Sequence, residues 1–283
     1  MTILLYRYDG VPYDEFRYPS GDIKVEWFTF PGGEEHVRIL ENIMDIHKFG
    51  IKAIIKSSSD LIRLRLLVDA IRRNSGVCPW IGAAISYLPY ARQDRVCNPG
   101  EALGIGIAAE IINSCKFDRV RVMDPHSDVG PALINNVRVV GVKELFQSFF
   151  SADWEFRATV ETSDLVAPDA GANKKVFGLA QEFKRNFIRA DKVRDVATGE
   201  ITGVQVFAEH SQNDMLVVDD ICDGGRTFTE LAKELNKITT GRLSLYVTHG
   251  IFSKGVEPLL EWYDQVFVAN DMLAGKFFNR YSK

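Results

Sequence analysis

Cysteine is scarce and scattered in this 283-residue sequence: Cys78, Cys97, Cys115 and Cys222 form no CxxC pair. Zinc-ribbon and thioredoxin-type sites therefore have no ligands to stand on, and disulfides are not expected at this spacing. The five histidines (His36, His47, His126, His210, His249) include no HExxH, and no GxxxxGK[ST] loop is present. Metalloprotease and P-loop kinase readings fall with those motifs. There is no run of 18 apolar residues, so no membrane span is expected. Met1-Thr-Ile-Leu-Leu-Tyr6 lacks both a basic flank and a long apolar stretch, so no secretory leader is expected and a cytoplasmic setting is the default. A basic excess is missing too. With 34 Lys+Arg against 38 Asp+Glu the chain carries −4, which gives no pull toward nucleic acid or an anionic membrane.

What is there is an ordinary globular mix, with 46% hydrophobic and 25% charged residues, long enough for one large or two medium domains. Short β-rich runs alternate with helical patterns, which predicts α/β architecture with mainly parallel sheets flanked by helices. In the first half we expect strands at Val25–Phe30, Lys52–Lys56, Pro79–Ile85 and Arg119–Asp124. Helices are expected over Glu34–Lys48, Asp60–Asn74 (with Asp60 as N-cap) and Ala102–Ser114. The second half repeats the rhythm. Its expected strands are Val137–Val142, Leu165–Ala167, Phe187–Ala190, Val204–Ala208, Met215–Asp219, Leu243–Thr248 and Gln265–Ala269. Its expected helices are Lys143–Phe150, Ala172–Phe183, Thr227–Leu235 and Lys254–Trp262. Two units follow, 1–140 and 141–283. Arg194–Gly203 reads as a hairpin, and Pro89–Glu101 as a long polar excursion of the kind that carries function.

The sharpest chemical feature is Met215-Leu-Val-Val-Asp219-Asp220-Ile-Cys-Asp223-Gly224-Gly225-Arg226-Thr227. An apolar strand runs into paired acids, then a double-glycine turn, then a helix. Converging amides, a helix N-terminus and the Thr227 hydroxyl suit a dianionic phosphate, while ionised Asp219 and Asp220 accept hydrogen bonds from a sugar diol. Tyr90-Ala-Arg92-Gln93-Asp94-Arg95 offers forked guanidinium donors for phosphate oxygens. In Asp124-Pro-His126-Ser-Asp128, alternate residues of an extended chain share a face, so carboxylate and imidazole would converge on a divalent metal or phosphate; a capped turn is the other reading. Pro168-Asp169-Ala-Gly171 delivers an acid into a glycine turn. Gly104-Ile-Gly106-Ile-Ala-Ala109 matches a dinucleotide fingerprint, but it lies within a helical run rather than after a strand, so close helix–sheet packing is the expected role.

The Asp219–Thr227 segment resembles the PRPP-binding motif of phosphoribosyltransferases and their relatives. The Tyr90–Arg95 string resembles the signature of the ribose-phosphate pyrophosphokinase (PRPP synthetase) family, and the Asp124, Asp169 and Lys192 segments follow in that family's order. The resemblance implies two tandem phosphoribosyltransferase-type domains, with the last residues packing on the N-terminal one. The implied reaction transfers the diphosphoryl group of ATP to the 1-hydroxyl of ribose 5-phosphate, giving PRPP and AMP. It implies that Tyr18, Ser20, Asp22, Arg92, Gln93, Arg95 and His126 bind ATP, and that Asp124, His126 and Asp169 hold Mg²⁺. Asp219, Asp220, Asp223, Gly224, Gly225, Arg226 and Thr227 would bind ribose 5-phosphate. Lys192 and Arg194 would be catalytic, neutralising charge on the transferring group. A homo-oligomer with its ATP site near a subunit boundary is also implied. Two departures stand out: Val96–Gly100 replaces the family's basic run, and Asn135 falls about where an acid is frequent. Rival readings are a phosphoribosyltransferase that consumes PRPP and a silent regulatory subunit.

Overall fold

The computed structural model describes residues 3–7, 23–194, 201–269 and 277–279. The chain divides into two compact units, Met1–Val140 and Gly141–Lys283. In the first, the chain runs β1 (Ile3–Arg7), β2 (Val25–Thr29), β3 (Glu35–Ile39), β4 (Lys48–Ala53), α1 (Ser58–Asn74), β5 (Trp80–Ile85), α2 (Gly104–Ser114), β6 (Arg119–Met123), α3 (Val129–Leu133) and β7 (Val137–Val140). The sheet order is β1-β4-β5-β6-β7, parallel except for β1. Register aligns Ile51, Ala83 and Val120 across three strands. These side chains join Leu64, Val68 and Ile112 of the flanking helices in one core.

Three expectations for this unit need correction, the first being the strand expected over Lys52–Lys56, which lies earlier, at Lys48–Ala53. Glu34–Lys48 is not a helix. Pro31-Gly32-Gly33 turns the chain so that β3 pairs antiparallel with β2, Gly33 at φ +92 donating its N–H to Phe30 O. Turn chemistry and the alternation His36/Val37/Arg38/Ile39 outweigh helix propensity. The α1 cap is Ser57, not Asp60. Ser57 Oγ accepts from Asp60 N and the Asp60 carboxylate accepts from Ser57 N, so Asp60 is the third helical residue of a capping box.

The second unit runs α4 (Val142–Ala152), α5 (Trp154–Thr162), β8 (Ser163–Ala167), α6 (Asn173–Glu182), β9 (Phe187–Arg194), β10 (Ile201–Phe207), β11 (Asp214–Cys222), α7 (Arg226–Leu235), β12 (Leu243–Gly250), α8 (Glu257–Leu260), β13 (Gln265–Val268) and β14 (Phe277–Asn279). The order is β10-β9-β8-β11-β12-β13-β14, with antiparallel pairs only at its two edges. Strand β11 is buried on both sides. Met215 and Val217 join the core under α7, while Leu216 and Val218 join the aromatic core of Phe146, Phe156 and Tyr246. That explains its unbroken apolar run. Helix α5 is an addition to the expected elements, and the helix expected over Lys254–Trp262 contracts to Glu257–Leu260, since Gly255 takes φ +78 and Pro258 follows.

From β8 the chain passes to β9 on one side; β11 then enters on the other side of β8. The carboxyl ends of β8 and β11 therefore flank a topological switch point, the place where open α/β sheets hold ligands. No helix among the described residues is long and apolar enough to cross a membrane.

Candidate functional site

In the first unit, Tyr90–Arg95 leaves the carboxyl end of β5, and Arg92, Gln93 and Arg95 are exposed. The loop is anchored rather than loose. Tyr90 takes φ +60, its hydroxyl lies 2.6 Å from Ser58 Oγ, and Gln93 O accepts from Ile105 N of α2. A β-carbon on Gly104 would overlap Gln93 Oε1 and lie 3.0 Å from Tyr90 Cδ1. At Gly104 the missing side chain thus lets α2 approach this loop, while Ala108 and Ala109 of the same run pack in the core with the sheet strands, as expected. Non-glycine residues at positive φ are costly, and Tyr90 is held there by its surroundings.

Downstream, the Glu101 carboxylate accepts from Cys97 N, Asn98 N and Asn98 Nδ2, closing the turn that stands in place of the basic run. The Asn98 side chain first, and then the two amides, hold the Glu101 carboxyl below the usual range. A lowered pKa in the folded chain means this contribution is present above the unfolded value and is lost as pH falls through the folded one. In an NMR titration the Cys97 and Asn98 amides should therefore move only below the ordinary glutamate range, and not at all in Glu101→Gln. A midpoint at the ordinary glutamate value in the wild type would contradict this.

The Asp124 segment departs from expectation. Strand β6 ends at Met123 and Asp124 takes φ +34, so residues 124–128 form a bend and the alternation argument does not apply. Asp124 is 2% exposed, whereas His126 and Asp128 face solvent. Among the described residues no three His, Cys, Asp or Glu side chains gather into a metal cage.

In the second unit two loops flank the switch point. After β8, Asp169 Oδ1 accepts from Gly171 N at 3.0 Å and Ala172 N at 3.2 Å, turning the chain into α6. One turn on, Lys175 Nζ lies 3.8 Å from Asp220 Oδ2, which ties α6 to β11. Asp220 is 9% exposed, and Asp219 Oδ1 accepts from its amide. Beyond Asp223, Gly225 adopts φ +76 and N-caps α7 with no side-chain cap bond. The first turn of that helix keeps its positive end for an anion. Cys222 is buried, and burial, then Asp219 and Asp223, push its thiol up to about 12, so it supplies no thiolate.

Gly225 needs its glycine twice over, since a β-carbon there would also sit 3.2 Å from Leu259 Cδ2. Gly225→Ala should cost roughly 1–2 kcal/mol from the left-handed backbone. Gly224→Ala, whose β-carbon meets nothing closer than 3.7 Å, should cost less. Urea unfolding of both variants checks the order, and equal losses would contradict it.

Lys192 and Arg194 belong to β9, in register with Val204 and Ile201 of β10. At the base of this pair Arg189 is ion-paired with Asp191 and stacks at 5.3 Å on Phe207 of β10. Residues 195–200 of the expected hairpin lie outside the described residues, as do Tyr18, Ser20, Asp22 and the last residues, 280–283. Sequence reasoning missed two features. Asn173 Oδ1, four residues after Asp169, is buried with no hydrogen-bond partner among the described residues. Ser253 and Lys254, after β12, lie against Gly224. The spacing of Gly250 and Gly255 around Phe252 was the available signal for the second.

Residues 15–115 match the family model described as the N-terminal domain of ribose phosphate pyrophosphokinase. A ribose-phosphate pyrophosphokinase of Pyrococcus furiosus is 29% identical over 272 residues, spanning 90% of this chain and 90% of its own. The Agrobacterium fabrum protein of the same name is 28% identical over 239 residues, 84% of this chain and 74% of its own. The crystal structure of phosphoribosylpyrophosphate synthetase from Mycobacterium smegmatis superposes with a TM-score of 0.72 at 21% identity, covering 87% of this chain and 80% of that one, and so shares the fold. The relatives span both units, and the arginine-bearing loop lies inside the matched N-terminal domain. Over most of its length the chain is thus similar to ribose-phosphate pyrophosphokinases.

Proposed function

We propose that this enzyme transfers the β,γ-diphosphoryl group of ATP to the 1-hydroxyl of ribose 5-phosphate, forming PRPP and AMP. The observation that carries the reading is the paired-acid, double-glycine turn at the switch point of a chain similar to the Pyrococcus furiosus protein over nine-tenths of both lengths. In this reading Asp219 and Asp220 accept hydrogen bonds from the sugar hydroxyls. Amides of Asp223–Thr227 and the N-terminus of α7 receive the 5-phosphate. Arg92, Gln93, Arg95 and His126 hold ATP phosphates, supported by the exposure of all four on loops after β5 and β6. Tyr18, Ser20 and Asp22 complete the nucleotide site from a neighbouring copy in a homo-oligomer, and the enzyme works in the cytoplasm.

The donor set fits a hard cation. Mg²⁺ takes one or two carboxylates and keeps water and substrate phosphates for the rest, so no all-protein cage is required. The orphaned buried oxygen of Asn173 near Asp169 is the kind of donor such an ion, or a substrate hydroxyl, would satisfy. Asp124, His126 and Asp169 are the residues proposed to hold Mg²⁺, which when bound neutralises phosphate charge. Lys192 and Arg194 supply positive charge to the transferring group. Catalysis then rests on orientation and electrostatics.

Incubation with ATP, Mg²⁺ and ribose 5-phosphate, following AMP, tests the reading. AMP formed only when the sugar phosphate is present supports it. Pyrophosphate released from PRPP and a nucleobase would replace it with a phosphoribosyltransferase, and no turnover in either assay would replace it with a silent subunit.

A further inference from the structure

We infer that Ser253 and Lys254, on the loop after β12, are binding residues for the 5-phosphate of ribose 5-phosphate; the inference rests on the reading above and deepens it. The loop is built to reach the phosphate turn. Ile251 N and Phe252 N both donate to Cys222 O at the end of β11, at 2.8 and 3.2 Å. Phe252 is buried at φ +46, a conformation a bulky residue adopts only under constraint. A β-carbon on Gly250 would overlap its ring, so the glycine makes room for this tuck. Gly255 at φ +78 then turns the chain away toward α8.

The two residues between these constraints lie over the double-glycine turn. A β-carbon on Gly224 would sit 3.7 Å from Lys254 Cε, 3.8 Å from Lys254 Cδ and 3.9 Å from Ser253 Oγ. Both residues are exposed, so a ligand can reach them.

The charges around the turn call for such a cation. Asp219, Asp220 and Asp223 place three carboxylates within five residues, against which stand Arg226 at the start of α7 and the nearby Lys175, the latter engaged with Asp220. The N-terminus of α7 contributes only about half an elementary charge. A dianionic phosphate brought to this turn meets more negative than positive charge unless a further cation is supplied. Lys254 is that cation, and Ser253 adds a hydroxyl donor. The pair thus acts on the phosphate group of the substrate rather than on its hydroxyls or on the nucleotide.

The test is steady-state kinetics and calorimetry on the full chain for wild type, Lys254→Ala, Lys254→Arg and Ser253→Ala. Loss of one charge-assisted contact should raise the ribose 5-phosphate KM and Kd of Lys254→Ala roughly tenfold or more. The ATP KM should stay within about twofold, and Lys254→Arg should recover most of the affinity. Unphosphorylated ribose, used as the probe sugar, should bind wild type and Lys254→Ala alike. An unchanged ribose 5-phosphate Kd in Lys254→Ala, or an equal rise for both substrates, overturns the inference while leaving AMP formation by the wild type intact. Wild type that binds ribose 5-phosphate no better than ribose overturns both the inference and the reading beneath it. Because Lys254 is exposed the variants should fold, and a thermal melt matching wild type confirms that the kinetic effect is local.

Discussion

Lys192→Ala should lower kcat by roughly two to three orders of magnitude while leaving the Kd for ATP nearly unchanged, the size of loss seen when one positioned charge is removed from a transition state. The expectation follows from the proposed role of Lys192 and from its setting. It lies within the eight-residue strand β9, paired to β10 in continuous register from Arg189↔Phe207 to Val193↔Gly203. The base of that pair is braced by Arg189, which engages Asp191 and stacks on Phe207. Backbone pairing does not depend on the lysine side chain, so truncation should remove charge without dismantling the hairpin. A group acting on the transferring diphosphoryl unit meets its full charge only in the transition state, so kcat should fall rather than binding. ATP affinity from calorimetry and turnover from AMP release separate the two. A variant with wild-type turnover, or one whose entire defect lies in ATP affinity, would remove Lys192 from the catalytic role.

The parts of this fold legible in the sequence are those where one physical signal acts alone. Met215–Val218 is apolar at every position because β11 is buried on both sides, and the acids and glycines that follow mark where the strand gives way to a ligand turn. Strand Trp80–Ile85 and its long excursion were legible for the same reason. Competing signals produced the misses. Glu34–Lys48 contains good helix formers, yet the Pro31–Gly33 turn and pairing with β2 decide its structure. Helix α5 hides behind its neighbour, since Asp153 both ends α4 and caps α5 by accepting from Phe156 N at 2.8 Å. The bend at Asp124 was illegible from alternation, because its left-handed backbone is imposed by tertiary context, including its N–H bond to Val140 O at 2.8 Å. Lys254 was absorbed into an expected helix, although the glycines on either side of its loop, at 250 and 255, already argued against one.

Asp220→Asn should raise the ribose 5-phosphate KM roughly tenfold to a hundredfold, on the scale of a hydrogen bond to a charged group, with a smaller change in the ATP KM. Asp220 is buried at the end of the central strand, with its amide fixed by Asp219 and its carboxylate facing Lys175 of α6. A carboxylate only accepts, so it can serve a sugar hydroxyl on one oxygen while the lysine faces the other. The asparagine keeps the shape and one acceptor but loses the charge, and its amide nitrogen turns a donor toward whatever the second oxygen served. Lys175 would also lose its partner, which is why a single substitution does not distinguish substrate contact from loop organisation. A double-mutant cycle with Lys175→Met does. If Asp220 meets the sugar directly, Asp220→Asn should still weaken ribose 5-phosphate binding when Lys175 is already methionine. If its role is only to anchor α6, the second substitution should add nothing to the first. Equal effects of Asp220→Asn on both substrates in the wild-type background would place the acid outside the sugar site.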